Sequence, residues 1–120
     1  MRDYTKLRAF QESDELLIAI YRVTNKFPDS ERFGLQSQLR RAALSVPTNI
    51  VEGSARASRA EYCRFLELAL GSSRECCYLM TVAVRLGFAS EEAHPLTQRY
   101  ERLCAVLAAI LLSLRKLTEK

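Results

Sequence analysis

The sequence predicts an all-α protein, a single antiparallel four-helix bundle with up-down-up-down topology. Three observations predict it. Apolar residues recur at alternating spacings of three and four in four separate stretches. Proline, glycine or a capping serine bounds each stretch. The links between stretches are only a few residues long, which sets successive helices antiparallel. No segment alternates apolar and polar residues in twos as a half-buried strand does, and there is no internal repeat or low-complexity segment. With 120 residues, 48% apolar and 27% charged, one core serves the whole chain as a single domain, 1–120.

The first helix is expected over approximately residues 7–27, with Phe10, Leu17, Ile20 and Phe27 on one stripe and Leu16 and Val23 beside it. Phe27-Pro28-Asp29-Ser30 ends it, because proline cannot continue a helix interior, and Asp29 or Ser30 can cap the next helix. The second helix is expected over 31–53. Its core stripe is Leu35, Leu39, Ala42, Val46 and Ile50. A second stripe, Leu44, Pro47 and Val51, is offset around the helix and leaves apolar a flank that a monomer would solvate, which makes these three a candidate subunit interface. Pro47 removes one helical hydrogen bond and is expected to bend the helix or break its last two turns, with Thr48 and Asn49 placed to satisfy the freed carbonyl. Gly53 reads as the residue that stops the helix before the link Ser54-Ala55-Arg56-Ala57.

The third helix, expected over 58–87, has the best-marked start. Ser58-Arg59-Ala60-Glu61 reads as a capping box, in which serine and glutamate each satisfy the other's backbone N–H. Tyr62, Phe65, Ala69, Ser72, Cys76, Leu79, Ala83 and Leu86 then form one seam, and Cys63, Leu66, Leu70, Ser73, Cys77, Met80 and Val84 a second beside it. A helix with two such seams is buried on two sides. Gly71, Ser72 and Ser73 cost helix propensity, which a close approach of a neighbouring backbone would justify. Gly87 closes this helix. The fourth is expected over 90–118, starting at Ser90 with a bend or only at Pro95. Its seam is Leu96, Tyr100, Leu103, Leu107, Ile110, Leu114 and Leu117.

Composition excludes several functional classes. The polar start Met1-Arg2-Asp3-Tyr4-Thr5-Lys6 leads into no continuous apolar run, so neither a signal peptide nor a membrane span is expected and the cytoplasm is the expected compartment. Cys63, Cys76, Cys77 and Cys104 fall inside helical patterns without zinc-knuckle or disulfide spacing, and read as small core residues. No metal or cofactor is expected. The single histidine, His94, has no recognisable nucleophile linked to it, and nucleotide loops, H-E-x-x-H and E-x-x-H pairs are missing. Glu52, Glu61, Glu67 and Glu75 each lie near an arginine and read as ion-pairing groups. A non-enzymatic protein is the expectation.

One basic cluster stands out. Arg40, Arg41, Arg56, Arg59 and Arg64 gather in sequence around the end of the second helix and the start of the third, where the local acids are Glu52 and Glu61. The net charge is +4 and the pI is near 9.0. Arginine grips phosphate bidentately, so these five are candidate nucleic-acid contacts. Tyr62 and Phe65 sit on the core seam and leave no expected array of exposed aromatics for base stacking, so shape or backbone recognition is anticipated.

The same stretch carries a resemblance. Phe27-Pro28, Gly34-Leu35, Gln38-Leu39-Arg40-Arg41-Ala42-Ala43, Ser45-Val46-Pro47-Thr48-Asn49-Ile50-Val51-Glu52-Gly53, Glu61-Tyr62, Phe65-Leu66, Ala69-Leu70-Gly71-Ser72 and Glu75 resemble, in order, the four-helix-bundle family encoded in the intervening sequences of bacterial 23S ribosomal RNA genes. The resemblance spans Phe27 to about Leu86, and Val51 stands where the family more often has alanine. It implies assembly into a ring of five subunits. It also implies a relationship to the accessory proteins of diversity-generating retroelements, which engage a reverse transcriptase and RNA. On that reading Asn49, Glu52 and Gly53 are architectural, with Asn49 and Glu52 binding freed backbone groups or Arg40 and Arg41 around the proline.

Three functional expectations result. The first is a ring-forming homo-oligomer whose basic surface binds structured RNA or a ribonucleoprotein. The second is a protein adaptor for a partner enzyme such as a reverse transcriptase, with nucleic acid incidental. The third is a small-ligand or nucleotide-processing bundle, for which Ser72, Ser73, Cys76 and Cys77 are the only candidate residues.

Overall fold

The alternation of threes and fours closes into one core. A computed structural model describes residues 2–118. It contains α1 (Arg8–Thr24), α2 (Leu35–Ser54), α3 (Arg59–Arg85) and α4 (His94–Thr118), with short 3-10 turns at Tyr4–Lys6, Asp29–Glu31 and Glu91–Ala93. Each helix packs on its sequence neighbours and α1 closes on α4, giving the expected antiparallel bundle in a body of 50 × 21 × 21 Å. Leu16, Ile20, Leu39, Val46, Ile50, Leu66, Met80, Tyr100 and Leu107 have no exposed surface. Each large side chain buried in this way contributes roughly 1.5–3 kcal/mol.

The stripe of α1 differs from the expected one. Ala9, Ser13, Leu16, Ile20 and Thr24 face the core, while Phe10 and Leu17 flank it half-buried. Hydroxyls can occupy this seam because the preceding turn satisfies them: Ser13 donates to the Phe10 carbonyl at 2.9 Å and Thr24 to the Ile20 carbonyl at 2.7 Å. The helix ends at Thr24, three residues early, and Phe27 turns inward beyond it to meet Phe88 at 6.0 Å between ring centroids. α2 begins at Leu35 and not near Glu31. Its cap is the Glu31 carboxylate, which accepts the Leu35 N–H at 3.0 Å, in place of Asp29 or Ser30.

Pro47 does not break α2, which runs unbroken to Ser54. Hydroxyl and amide side chains reinforce the turns around it. Thr48 donates to the Leu44 carbonyl at 2.7 Å, and the Asn49 amide donates to the Ser45 carbonyl and hydroxyl at 2.8 and 2.9 Å. Gly53 is also not the stop. It is a buried residue of the helix itself, where an added Cβ would lie 2.7 Å from Phe65 Cβ and 3.3 Å from the Tyr62 ring, so α2 and α3 cross there at a spacing only glycine permits.

In α3 the burial axis runs between the two expected seams, through Tyr62, Cys63, Leu66, Ala69, Ser73, Cys76, Met80 and Ala83. Half of the capping box forms as expected: the Ser58 hydroxyl accepts the Glu61 N–H at 3.1 Å, while the Glu61 carboxylate meets the Ser58 hydroxyl at 3.4 Å. Gly87 ends the helix at φ 79°, with its N–H donating to Val84 and that of Phe88 to Ala83, the double bond of a Schellman cap. Gly71 is exposed with open space where a side chain would stand, so the close contacts at 71–73 belong to the serines alone. Ser72 donates to Ser45 of α2 at 2.9 Å, and Ser73 accepts the Cys104 thiol of α4 at 3.3 Å.

Two ion-pair sites brace α4. Arg99 donates to Glu12 at 2.7 Å and to Glu15 at 2.9 Å on α1, and Arg115 pairs with Glu67 on α3. The Arg99 hydrogen bond holds the Glu12 carboxyl below its ordinary value of 4.5.

Two outcomes are expected. Gly53→Ala should destabilise the fold by about 1–3 kcal/mol in chemical denaturation, through overpacking against Phe65; unchanged stability would mean that α2 and α3 separate freely. Because Glu12 is more acidic folded than unfolded, its contribution is present above pH 4.5 and lost as the pH falls through its lowered value. The melting-temperature difference between wild type and Glu12→Gln should therefore exist at neutral pH and close in acid, and a difference independent of pH would refute the assignment.

Candidate nucleic-acid interface

The five arginines that are close in sequence do not form one patch. Arg56, Arg59 and Arg64 are exposed around the α2–α3 turn, whereas Arg40 and Arg41 sit near the start of α2, about 20 Å away along the helix at 1.5 Å per residue.

At the α2–α3 end, Arg2 joins the set. Its guanidinium donates to the Arg56 carbonyl at 2.9 Å and stacks 4.2 Å from the centroid of the Tyr62 ring, while Arg56 stacks 4.8 Å from that of Phe65. The Gly53 crossing presents these two rings at the edge of the core, and stacking orients the guanidinium planes without consuming their donors. Arg59 is the first residue of α3, and Arg64 stands on its outer face. Glu61 is partly committed to the helix cap. The sequence offers no periodicity that leads to Arg2, since it precedes the first helix by six residues and reaches the site through tertiary contact alone.

Arg40 has a structural task. Its Nε donates to the Thr24 hydroxyl at 2.8 Å, and a terminal nitrogen donates to the Asn25 side chain at 2.9 Å and the Tyr21 carbonyl at 3.2 Å, with the guanidinium 4.5 Å from the Tyr21 ring centroid. It therefore binds the C-terminal carbonyl end of α1 to α2. Arg41 is exposed and donates to Gln38 at 2.8 Å.

Of the candidate interface residues, Leu44 is 48% exposed, Val51 is half-buried and Pro47 is buried within the chain. Pro47 therefore adds little to an outer surface: its ring packs inward because Val46 and Ile50 draw that side of α2 to the core. Asn49 binds the backbone at Ser45. Glu52 is exposed, more than about 15 Å along the helix from Arg40 and Arg41, and pairs with neither.

Of the serine and cysteine residues of the third expectation, Ser73 and Cys76 are buried in the core and Ser72 and Cys77 are half-buried at helix contacts. Burial pushes the Cys76 thiol up to about 12, and burial together with the Cys104 thiol pushes Cys77 up to about 12 as well. Both are thus protonated at neutral pH and poor nucleophiles. The Tyr100 hydroxyl is fully buried without a formed hydrogen bond, and burial raises its pKa, with the Cys76 thiol nearby adding to the effect. His94 is exposed at the first residue of α4. Among the described residues no three of histidine, cysteine, aspartate and glutamate gather as a metal ion requires, and no described helix is long and apolar enough to cross a membrane. A recess of about 400 Å³ between α1 and α4 is lined by Arg8, Arg99 and Arg102 on one side of the balance and Glu12 and Glu15 on the other.

Comparison with known proteins places this bundle. Residues 5–109 match the family model described as 23S rRNA-intervening sequence protein. The crystal structure of a protein of unknown function from the S23 ribosomal protein family of Bacteroides thetaiotaomicron is similar, with TM-score 0.79 and 21% identity over 86% of this chain and 97% of that one. At that identity the likeness establishes the shared fold. A comparison with curated proteins gives no match.

Proposed function

The chain belongs to the 23S rRNA-intervening sequence protein family, and from that premise we propose that it is a non-enzymatic, ring-forming homo-oligomer that binds structured RNA or a ribonucleoprotein through its basic α2–α3 end. The observation that carries the reading is the set of Arg2, Arg56, Arg59 and Arg64, with two of the four guanidiniums oriented on aromatic rings. Oriented guanidiniums lose less freedom on gripping phosphate than free side chains do. Assembly would multiply weak contacts. Five copies of a chain of net charge +4 carry 5 × 4, a total of +20, and phosphate contacts on each subunit would combine through avidity. Exposed Leu44, flanked by Val51, supplies apolar surface for a subunit contact.

A second reading is an adaptor that docks a protein partner, such as a reverse transcriptase, with nucleic acid incidental. Its support is the solvent-facing surface of α3, where Leu68 and Tyr78 are both exposed, about three turns apart. A partner recovered after nuclease treatment would favour it.

The test is binding of a folded RNA at low and moderate salt. Affinity should fall steeply with salt, and replacing Arg56, Arg59 and Arg64 together by glutamine should flatten the logarithmic salt slope by about 0.7–0.9 for each phosphate that is no longer neutralised. An affinity indifferent to salt would end the RNA reading. For the assembly, Leu44→Arg should convert the oligomer measured by light scattering to folded monomer; a wild-type chain that is itself monomeric would remove the ring.

A further inference from the structure

The turn between α1 and α2 carries the most exposed large apolar side chain among the described residues, Phe33, at 91%. An aromatic ring held in water is the informative kind of surface residue, since burial is its usual fate. The turn that holds it is well tied. Arg32 N–H donates to the Asp29 carbonyl at 3.1 Å, Gly34 N–H to the Glu31 carbonyl at 3.0 Å, and Leu35 N–H to the Glu31 carboxylate at 3.0 Å. The same carboxylate lies against Gly34, where an added Cβ would meet it at 2.8 Å. Phe33 is outside the core, on a turn whose flanking N–H groups at Arg32, Gly34 and Leu35 are all hydrogen-bonded.

Behind the ring lies a recess of about 420 Å³ lined by Tyr21, Arg32, Phe33, Arg40, Arg41 and Leu44 together with Gln36 and Ser37, and by no carboxylate. The recess between α1 and α4 differs, because there glutamates offset the arginines. Arg40 is spent on Thr24, Asn25 and the Tyr21 carbonyl and forms a planar floor over the Tyr21 ring. Arg41 gives one bond to Gln38 and retains other donors, and the Arg32 guanidinium carbon is 5.9 Å from the Phe33 ring centroid. Aromatic face, guanidinium planes and a recess lining with arginines and no carboxylate together match one ligand chemistry, a flipped-out nucleobase between phosphates.

We infer that Phe33 and this recess form a contact for single-stranded RNA, with an unstacked base on the Phe33 ring and its flanking phosphates on Arg32 and Arg41. A second protein surface fits less well: it would meet uncompensated arginines around a single protruding ring. This inference rests on the RNA-binding reading above but uses a different part of the molecule, about 20 Å along α2 from the arginines at the α2–α3 end.

The experiment is fluorescence anisotropy of the full-length protein with two labelled probes, an unstructured oligouridylate and a fully paired RNA hairpin. Phe33→Ala should weaken oligouridylate binding roughly 5- to 100-fold while leaving the hairpin affinity unchanged, and Phe33→Tyr should retain both. The chain has no tryptophan, so a Phe33→Trp variant adds a direct optical report, with emission quenched by oligouridylate if a base stacks. Equal oligouridylate binding by wild type and Phe33→Ala, with no quenching, overturns the inference and leaves the basic-surface reading standing. Wild-type protein that binds neither probe overturns both. Phe33→Ala protein with a smaller mass in light scattering and unaltered RNA affinity would reassign the ring to a subunit contact, which also overturns the inference.

Discussion

At residue 53 the backbone of α2 lies so close to α3 that a methyl group would stand 2.7 Å from Phe65 Cβ. The shape of the basic end follows from this approach. It brings the Tyr62 and Phe65 rings to the rim of the core, where Arg2 and Arg56 stack on them, and it sets the short link that leads to the Ser58 cap. The Ser45 and Ser72 hydroxyls meet two turns farther along the same crossing, at 2.9 Å, where larger side chains would force the helices apart. A spacing enforced by small residues thus presents the cations.

The bundle separates groups that are neighbours in sequence and gathers groups that are not. A helix of 20 residues is about 30 Å long, so arginines at its two ends cannot serve one phosphate cluster. Arg40 works inward, satisfying the C-terminal end of α1. Arg2 and Arg56, 54 residues apart, share a hydrogen bond. Both ends of the body carry arginine beside an aromatic ring, with the stacked pairs at the α2–α3 end and the projecting Phe33 at the other.

The interior is less apolar than its hydropathy pattern. Ser13, Thr24 and Ser73 are fully buried, each with its hydroxyl bonded to backbone or to a neighbouring side chain. Burial keeps Cys76 and Cys77 protonated near neutral pH, so the α3–α4 seam is a packing surface with weak thiol and hydroxyl contacts. Tyr100 is its exception, a buried hydroxyl without a formed bond.

By itself the sequence determined the number of helices, their antiparallel order, the stripe of α2, the middle of the α4 seam at Tyr100, Leu103 and Leu107, the serine start of α3 and its glycine end, because each depends on periodicity or on capping within a few residues, whereas farther along α4 Leu111 is buried in place of Ile110 and Leu117 is exposed. The Phe27–Glu75 motifs likewise pointed to the family. Only the tertiary structure decided that Gly53 is a crossing point and not a stop, that Pro47 is buried in an unbroken helix, that Ala9, Ser13 and Thr24 replace Phe10 and Leu17 at the centre of α1, and that Arg40 is a clamp. It also decided that Phe33 is exposed, since a start of α2 at Leu35 leaves that ring on a turn outside the helical register. Apart from Phe33, whose exposure follows from where α2 begins, these share one physical reason. Each depends on the distance between two helices, and a one-dimensional pattern records which residues share a face but not how closely that face approaches its neighbour.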